Sequence, residues 1–187
     1  IQKIDDIDVN TMKLTQLRNE EPEWAEVALL PLLNETAQRV QAQASEIKIS
    51  VEGRNSVIVA DRELLTMLAD NLTVNAVRAS HAGQTVVLTA QHNGFSVKDE
   101  GCGMTQEQLD HIFEPFFKAD KARTRACGGA GLGLTVCKQI VELHKGQLRF
   151  HSQPGRGTQV DFTTSLQAVA DFVTHLDVPC DQEVSHP

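Results

Sequence analysis

The sequence predicts an α/β fold, a two-layer sandwich in which about three helices cover one face of a mixed, mostly antiparallel sheet. Three observations carry that prediction. Segments that alternate apolar and polar residues interleave with segments whose apolar residues recur at helical spacing. Short turns bearing glycine or asparagine join the alternating segments into hairpins. Each helical segment is apolar along one stripe, so it has a single face to bury against a sheet.

Residues 1 to 20 carry Ile4, Ile7, Leu14 and Leu17 among polar residues, the pattern of an amphipathic helix. Glu20-Glu21-Pro22 breaks it, because proline disfavours helical backbone in the residue before it. Trp24 to Leu29 reads as a first strand, and Pro31 suits the first turn of a helix carrying Leu32, Leu33, Ala37 and Val40. Glu46 to Glu52 alternates with Ile47, Ile49 and Val51 on one side, so it is expected as a half-buried strand. Gly53-Arg54-Asn55 is expected to turn the chain back into a return strand at Val57 to Ala60. Asp61 is a good N-cap for the next helix, whose stripe is Leu65, Leu68, Leu72, Ala76 and Ala79. Val86 to Ala90 and Phe95 to Val97 form a second hairpin, with Asn93-Gly94 as its turn. Gln106 to Phe113 is a short helix. Leu132 to Leu143 is a longer one, stopped by Gly146. Gln147 to Phe150 and Thr158 to Thr164 pair across Pro154-Gly-Arg-Gly157, and the tail from Gln167 is left as a helix or a linker.

With 187 residues, the chain can bury a proper core without disulfide or metal support. A formal net charge of −8 argues against a nucleic-acid binder that works through a general basic surface, so affinity for phosphate has to come from local groups. Cys102, Cys127, Cys137 and Cys180 include no Cys-x-x-Cys pair and read as thiols of a reducing compartment. The apolar run Val27 to Leu33 is far too short to span a bilayer and is interrupted by Pro31; no signal-peptide pattern opens the chain. A start at Ile1 rather than Met leads us to expect a fragment of a longer protein.

The chemistry concentrates between Asp70 and Leu134. Asn71, Asn75 and Arg78 recur at helical spacing and share one flank of the helix capped by Asp61. An amide oxygen there can ligate Mg²⁺, a hard cation that takes oxygen ligands. Asp99 closes a strand and runs into Gly101 and Gly103. Phe113-Glu-Pro-Phe-Phe117 follows, then four cations within eight residues at Lys118, Lys121, Arg123 and Arg125. Gly128-Gly-Ala-Gly131-Leu-Gly133-Leu134 then opens a helix, where glycine backbone and helix N-terminus together suit a polyphosphate. It is neither a Walker loop nor the Rossmann glycine order. Taken singly, each piece has an ordinary reading: a polar helix flank, a strand-ending turn, core aromatics, a solvated charge run, a hairpin turn at Gly157-Thr158. Their order on one chain is what points to a nucleotide site.

In that order the pieces resemble the N, G1, F and G2 boxes of the ATP-binding domain of bacterial sensor histidine kinases, members of the GHKL or Bergerat-fold superfamily. The resemblance covers Trp24 to Ser165. It implies ATP and Mg²⁺ as ligands, with Asn71, Asn75 and Arg78 on the phosphates and Asn75 holding the metal. It further implies Asp99, Gly101 and Gly103 around adenine, and a lid anchored near Phe117 whose Lys118 and Lys121 contact phosphates. Gly129, Gly131, Leu132, Gly133 and Leu134 would cradle the polyphosphate, with Thr158 nearby. Residues 1–20 would then be the end of a dimerisation and phosphoacceptor hairpin, 24–165 the catalytic domain, and 166–187 a tail or linker. No histidine here sits in a phosphoacceptor context, so no catalytic residue is assigned to this chain. The partners implied are the phosphoacceptor domain of the same protein, a response regulator and, in the full-length form, a second copy, with neither nucleic acid nor membrane contacted by this segment. The implied placement is cytoplasmic, in a protein of a kind that includes inner-membrane sensors. Two departures stand out. Ala79 occupies a position where many relatives have an aromatic near adenine. Asn71 lies where clamp-type ATPases of the gyrase, Hsp90 and mismatch-repair kinds place a glutamate base, and an amide cannot take a proton from water. The resemblance therefore favours a kinase over a clamp-type ATPase, with a degenerate kinase serving as a nucleotide-binding regulatory module as the other alternative.

Overall fold

The computed structural model describes residues 21–114 and 133–166. The elements run β1 (Trp24–Ala28), α1 (Leu29–Gln41), β2 (Lys48–Gly53), β3 (Val57–Asp61), α2 (Arg62–Ala79), β4 (Thr85–Gln91), β5 (Gly94–Asp99), α3 (Gln106–His111), α4 (Gly133–Leu143), β6 (Gly146–Gln153) and β7 (Gly157–Thr164). The helix expected in residues 1–20, the aromatic anchor at Phe117, the cations Lys118 and Lys121, the glycine-turn residues Gly129, Gly131 and Leu132, and the tail from Gln167 lie outside the described residues.

Five strands form one sheet in the order β2-β4-β5-β7-β6; β2 runs parallel to β4 and every other pairing is antiparallel. Register aligns the apolar side chains across the strands. Val86 and Leu88 face Ile49 and Val51 on one neighbour, and Val97 on the other is paired with Leu88; Phe95 and Val97 face Phe162 and Val160, which face Leu148 and Phe150. This face carries α1 against β2, α2 against β5 and α4 against β6. The opposite face is polar: Thr89 bonds Glu52, and Gln91 and Gln159 both reach Asp161. One apolar and one polar face is what period-two alternation specifies. The expected two-layer sandwich is therefore the one found. No described helix is long and apolar enough to cross a membrane.

The first expected hairpin does not form. β3 pairs with β1 in a separate two-stranded sheet, while β2 joins β4. The two segments differ in pattern, which supplies the reason. β2 alternates and suits a sheet with one wet face. Val57-Ile58-Val59-Ala60 is a continuous apolar run, and from Ile58 to Asp61 every residue is buried. The β4–β5 hairpin does form, but Gln91 pairs with Gly94, so its two-residue loop is His92-Asn93 rather than Asn93-Gly94. Gly94 serves a different purpose: a Cβ there would lie 1.9 Å from the Phe162 carbonyl oxygen of β7.

Asp61 caps α2 as expected, accepting the Leu64 N–H at 3.0 Å, and its other oxygen accepts the Glu23 N–H at 2.8 Å. Beside it sits His144, just beyond α4 and fully buried. The dipole of a helix C-terminus would favour a charged imidazole. Burial overrides that here and lowers the His144 pKa below its usual value, against smaller opposing effects of the Ile140 carbonyl and the Asp61 charge. The Asp61 N–H donates to Nε2 at 3.1 Å, so the proton sits on Nδ1 and goes to the Ile140 carbonyl at 2.7 Å. Trp24 packs edge-on against the ring, with centroids 5.1 Å apart. A neutral histidine thus ties β1, β3, α2 and α4 together at the end of the layer remote from the glycine turns.

Candidate functional site

Asp99 ends β5 and turns its carboxylate to the helix side of the sheet, where Val86 is its register partner. Oδ1 accepts two backbone N–H groups, from Gly101 at 2.8 Å and from Thr158 at 3.2 Å. Oδ2 takes no hydrogen bond among the described residues. Burial raises the Asp99 pKa, opposed by those two N–H groups. The result is a carboxylate with one oxygen anchored and the other left for a donor.

The glycines around Asp99 are needed because backbones meet there. A Cβ on Gly101 would lie 2.1 Å from the Ala79 carbonyl oxygen at the end of α2, and the same oxygen accepts the Cys102 N–H at 3.2 Å. A Cβ on Gly103 would lie 1.9 Å from the Gln153 carbonyl oxygen, and one on Gly157 would lie 2.0 Å from that of Asp99. The Gly155 N–H donates to the Cys102 carbonyl at 2.7 Å. The end of α2, the turn after β5 and the β6–β7 turn are thereby interlocked, and Thr158 enters β7 against Asp99.

The α2 flank leads away from this point. Asn71 donates through Nδ2 to the Met67 carbonyl at 2.9 Å, and its Oδ1 lies 3.2 Å from where a Gly133 Cβ would be. The start of α4 therefore abuts Asn71, and any side chain at position 133 would crowd that amide. Leu134, partly buried, packs against the core. Asn75 is half-buried and its amide makes no hydrogen bond among the described residues; Arg78 is exposed and pairs with no carboxylate among them. Phe113 sits edge-on to Phe150, centroids 5.6 Å apart, with Lys138 Nζ 5.9 Å from its ring centre. The structure thus places Asn71, Asn75, Arg78, Asp99, Gly101, Gly103, Gly133, Leu134 and Thr158 along the second half of α2, from mid-helix to its C-terminal end. Phe117, Lys118, Lys121, Gly129, Gly131 and Leu132 fall in the stretch that is not described.

Sequence reading did not single out three supporting side chains. Gln84 accepts the His81 N–H at 2.7 Å and donates to the Glu100 carbonyl at 2.8 Å, and Glu100 accepts the Thr85 N–H at 3.1 Å. These bonds tie the loop after α2 to the turn after β5. Ser152 accepts the Met104 N–H at 2.8 Å, donates to the Gly157 carbonyl at 3.1 Å and lies 2.9 Å from the Thr158 hydroxyl. The alternation of β6 does place Ser152 on the inner side with Leu148 and Phe150, a signal that was available. Of the cysteines, Cys102 is exposed in the turn, whereas Cys137 is enclosed in α4 and its thiol is pushed up to about 12, so it is inert core.

Residues 60–168 match the family described as histidine kinase-, DNA gyrase B-, and HSP90-like ATPase. The chain belongs to this family. The matched stretch contains all nine of the described candidate residues named above. Among its relatives, the sensor-like histidine kinase SenX3 of Mycolicibacterium smegmatis is 33% identical over 180 residues, which is 91% of this chain and 46% of that protein. The sensor histidine kinase WalK of Bacillus subtilis is 32% identical over 148 residues, 75% of this chain and 24% of that protein. The chain spans less than half the length of these curated relatives. Among solved structures, full-length ShkA in complex with AMPPNP matches with a TM-score of 0.75 and 26% identity, over 86% of this chain and 35% of that one. The two-layer fold found here is thus that of histidine kinase ATPase domains.

Proposed function

We propose that this chain is the ATP-binding catalytic domain of a sensor histidine kinase and transfers the γ-phosphoryl of Mg-ATP to a histidine outside these 187 residues. The observation that carries the reading is the arrangement along α2. Beside its C-terminal end an anchored carboxylate offers a free oxygen, and about two turns back, at mid-helix, an asparagine meets the glycine that opens α4. Asp99 Oδ2 accepts the adenine amino group, and the interlocked glycine turns leave room for the purine. From Asn71 to Ala79 the helix rises roughly 12 Å, along which the phosphates lie toward Asn71 and Gly133.

The residues present suit a magnesium nucleotide. No group of three or more His, Cys, Asp or Glu that could hold a metal occurs among the described residues. The Asn75 amide oxygen, with no hydrogen bond among those residues, is a hard ligand of the kind Mg²⁺ takes while keeping waters and substrate oxygens. Bound Mg²⁺ supplies charge neutralisation on the phosphates. Arg78 adds a second cation, Lys118 and Lys121, outside the described residues, supply further positive charge in the sequence before α4, and the first N–H groups of α4 contribute their partial positive charge. Catalysis is then mostly positioning and electrostatics. Asn71 offers no base to activate water, which separates this site from a hydrolase. Residues 1–20 are the end of the dimerisation and phosphoacceptor hairpin, 24–165 the catalytic domain and 166–187 a tail or linker. The domain works in the cytoplasm of a homodimeric protein that passes its phosphoryl group to a response regulator.

The isolated chain should bind Mg-ATP, label itself with almost no phosphate and hydrolyse ATP very slowly. Supplying the parent protein's phosphoacceptor hairpin, fused or in trans, should produce an acid-labile, alkali-stable phosphohistidine. Turnover by the isolated chain on the order of 10 s⁻¹ would establish a clamp-type ATPase. Tight binding without labelling in the fused protein would establish a regulatory module.

A further inference from the structure

We infer that His144 is a proton-operated joint between α4 and the β1–β3 pair: it is closed while the imidazole is neutral and opens toward β1 and β3 when the ring takes up a second proton. Both ring nitrogens meet backbone groups of fixed polarity, so the neutral tautomer follows from bonding alone. The Asp61 N–H can only donate, at 3.1 Å to Nε2, and the Ile140 carbonyl can only accept, at 2.7 Å from Nδ1. A second proton leaves the Nδ1 bond as it is. It turns Nε2 into a donor aimed at the Asp61 N–H, so the one contact that charging destroys is the contact across to β3.

The two sides of that contact are held unequally. On the α4 side, the His144 N–H donates to the Ile140 carbonyl at 3.1 Å and the Thr164 hydroxyl donates to the His144 carbonyl at 2.7 Å. The ring is fully buried, with the Phe162 ring of β7 at 6.4 Å and the Trp24 ring of β1 at 5.1 Å, both edge-on. On the other side, β3 pairs only with β1, and the Asp61 carboxylate strengthens that link by accepting the Glu23 N–H at 2.8 Å. Repulsion at Nε2 therefore displaces Asp61, and Glu23 and Trp24 move with it. Asp61 also carries the charge that acts on the ring; β1 and β7 present aromatic rings to it, and Glu142 and Lys145 are its neighbours along the chain. Taking the Asp61 carboxylate as a new partner would draw its oxygens from the Leu64 and Glu23 N–H groups, so that route opens the same joint. Burial holds the closed ring neutral, whereas an opened ring in water titrates near 6.5, so opening takes up a proton and is favoured as pH falls below that value. Under the function proposed above, on which this consequence rests, the residues before β1 lead to the phosphoacceptor hairpin, and acid loosens the coupling of the two domains.

Amide hydrogen exchange of the 187-residue chain, followed residue by residue by NMR between about pH 5 and 8, tests the joint without nucleotide. After correction for intrinsic exchange, protection of the Asp61 and Glu23 N–H groups should fall below pH 6.5 by up to about tenfold per pH unit, the limit for one linked proton. The Gly101 and Thr158 N–H groups, which bond Asp99, should show no such slope. His144→Gln, whose amide supplies an acceptor and a donor without titrating, should abolish the slope at Asp61 and Glu23. Ring-nitrogen shifts of the unaltered chain should show the neutral Nδ1–H form at neutral pH. A slope that persists in His144→Gln overturns the inference, as does an equal slope at all four amides, which would report unfolding of the whole. A flat profile at Asp61 and Glu23, or a charged ring at neutral pH, overturns it in the unaltered chain even if His144→Gln does not fold. Failure of the chain to bind Mg-ATP would instead remove the proposed function and leave the joint standing.

Discussion

Replacing Asp99 by asparagine separates recognition from folding, because the two oxygens of its carboxylate have different tasks. Oδ1 holds Gly101 and Thr158 through their N–H groups at 2.8 and 3.2 Å. An asparagine Oδ1 in the same place accepts both. What changes is the other atom, where an acceptor becomes an NH₂ donor. In the free protein the replacement removes a cost. Burial is the largest influence on Asp99 and raises its pKa, so the charged form is less favourable folded than unfolded. The sign follows: between the unfolded value, near 3.8, and the raised folded value, stability falls as pH rises, and at neutral pH the full cost is present. Asp99→Asn should therefore keep or raise Tm at pH 7.

With nucleotide the same change is damaging. A donor would face the adenine amino group, losing one hydrogen bond and leaving buried donors unpaired, at about 1–3 kcal/mol, or roughly 5- to 150-fold in Kd. ITP, with an oxo group at that position, should bind the variant at least as well as it binds the unaltered protein. Calorimetry with ATP and ITP, alongside thermal denaturation with and without nucleotide, reads both effects. ATP affinity within twofold of the unaltered protein would refute the placement of adenine at Asp99. Equal weakening of both nucleotides with a lowered Tm would mean that Asp99 serves only to hold the turn.

Three further outcomes can be checked. Asn75→Ala should abolish most of the increment in ATP affinity that Mg²⁺ provides while leaving metal-free binding nearly unchanged, as read by titrations with and without chelator. Gly101→Ala should destabilise the fold by about 1–3 kcal/mol and weaken ATP binding, since its Cβ would meet the Ala79 carbonyl oxygen at 2.1 Å; denaturant unfolding would detect it, and an unchanged midpoint would contradict the close packing of the turn on α2. His144 should make stability fall as pH drops below its ordinary value near 6.5, because its lowered pKa keeps the folded state neutral while the unfolded chain takes up a proton, with a slope of at most about 1.4 kcal/mol per pH unit. His144→Gln should flatten that part of the profile, and a slope that persists would assign it to other groups.

The elements that were legible in the sequence share a property: their pattern is local. The Asp61 cap, the Leu65-Leu68-Leu72-Ala76 stripe and the period-two faces of β4 and β6 depend on neighbours a few residues away. What escaped is pairing. Gly53-Arg54-Asn55 looked like a hairpin turn because two strand-like segments flank it, yet the choice between β3 and β4 as the partner of β2 is made by which rows of side chains meet across the sheet. The continuous apolar run at Val57 to Ala60 already distinguished that strand from its alternating neighbour. Gly94 misled in a similar way: a glycine beside an asparagine suggests a turn, but the close approach of Phe162 of β7 is what requires it.

The site divides along the same line. The side chains proposed here to carry the chemistry, the Asn75 amide, the Asp99 carboxylate and the Arg78 cation, stand out by spacing on a helix or by position at a strand end. The groups that aim them do not, because most are backbone. Asp99 is held by two N–H groups, one from a residue two positions on and one from a strand 59 residues away. A glycine marks where two backbones touch without revealing which two. Gly101 against Ala79 and Gly157 against Asp99 are two such contacts, and Gly133 adds a close approach to the Asn71 side-chain amide. The same logic explains why Ala79 matters here as more than the absence of an aromatic. Its carbonyl oxygen accepts the Cys102 N–H and sits where a Gly101 side chain would be, so the last turn of α2 holds the turn that follows Asp99.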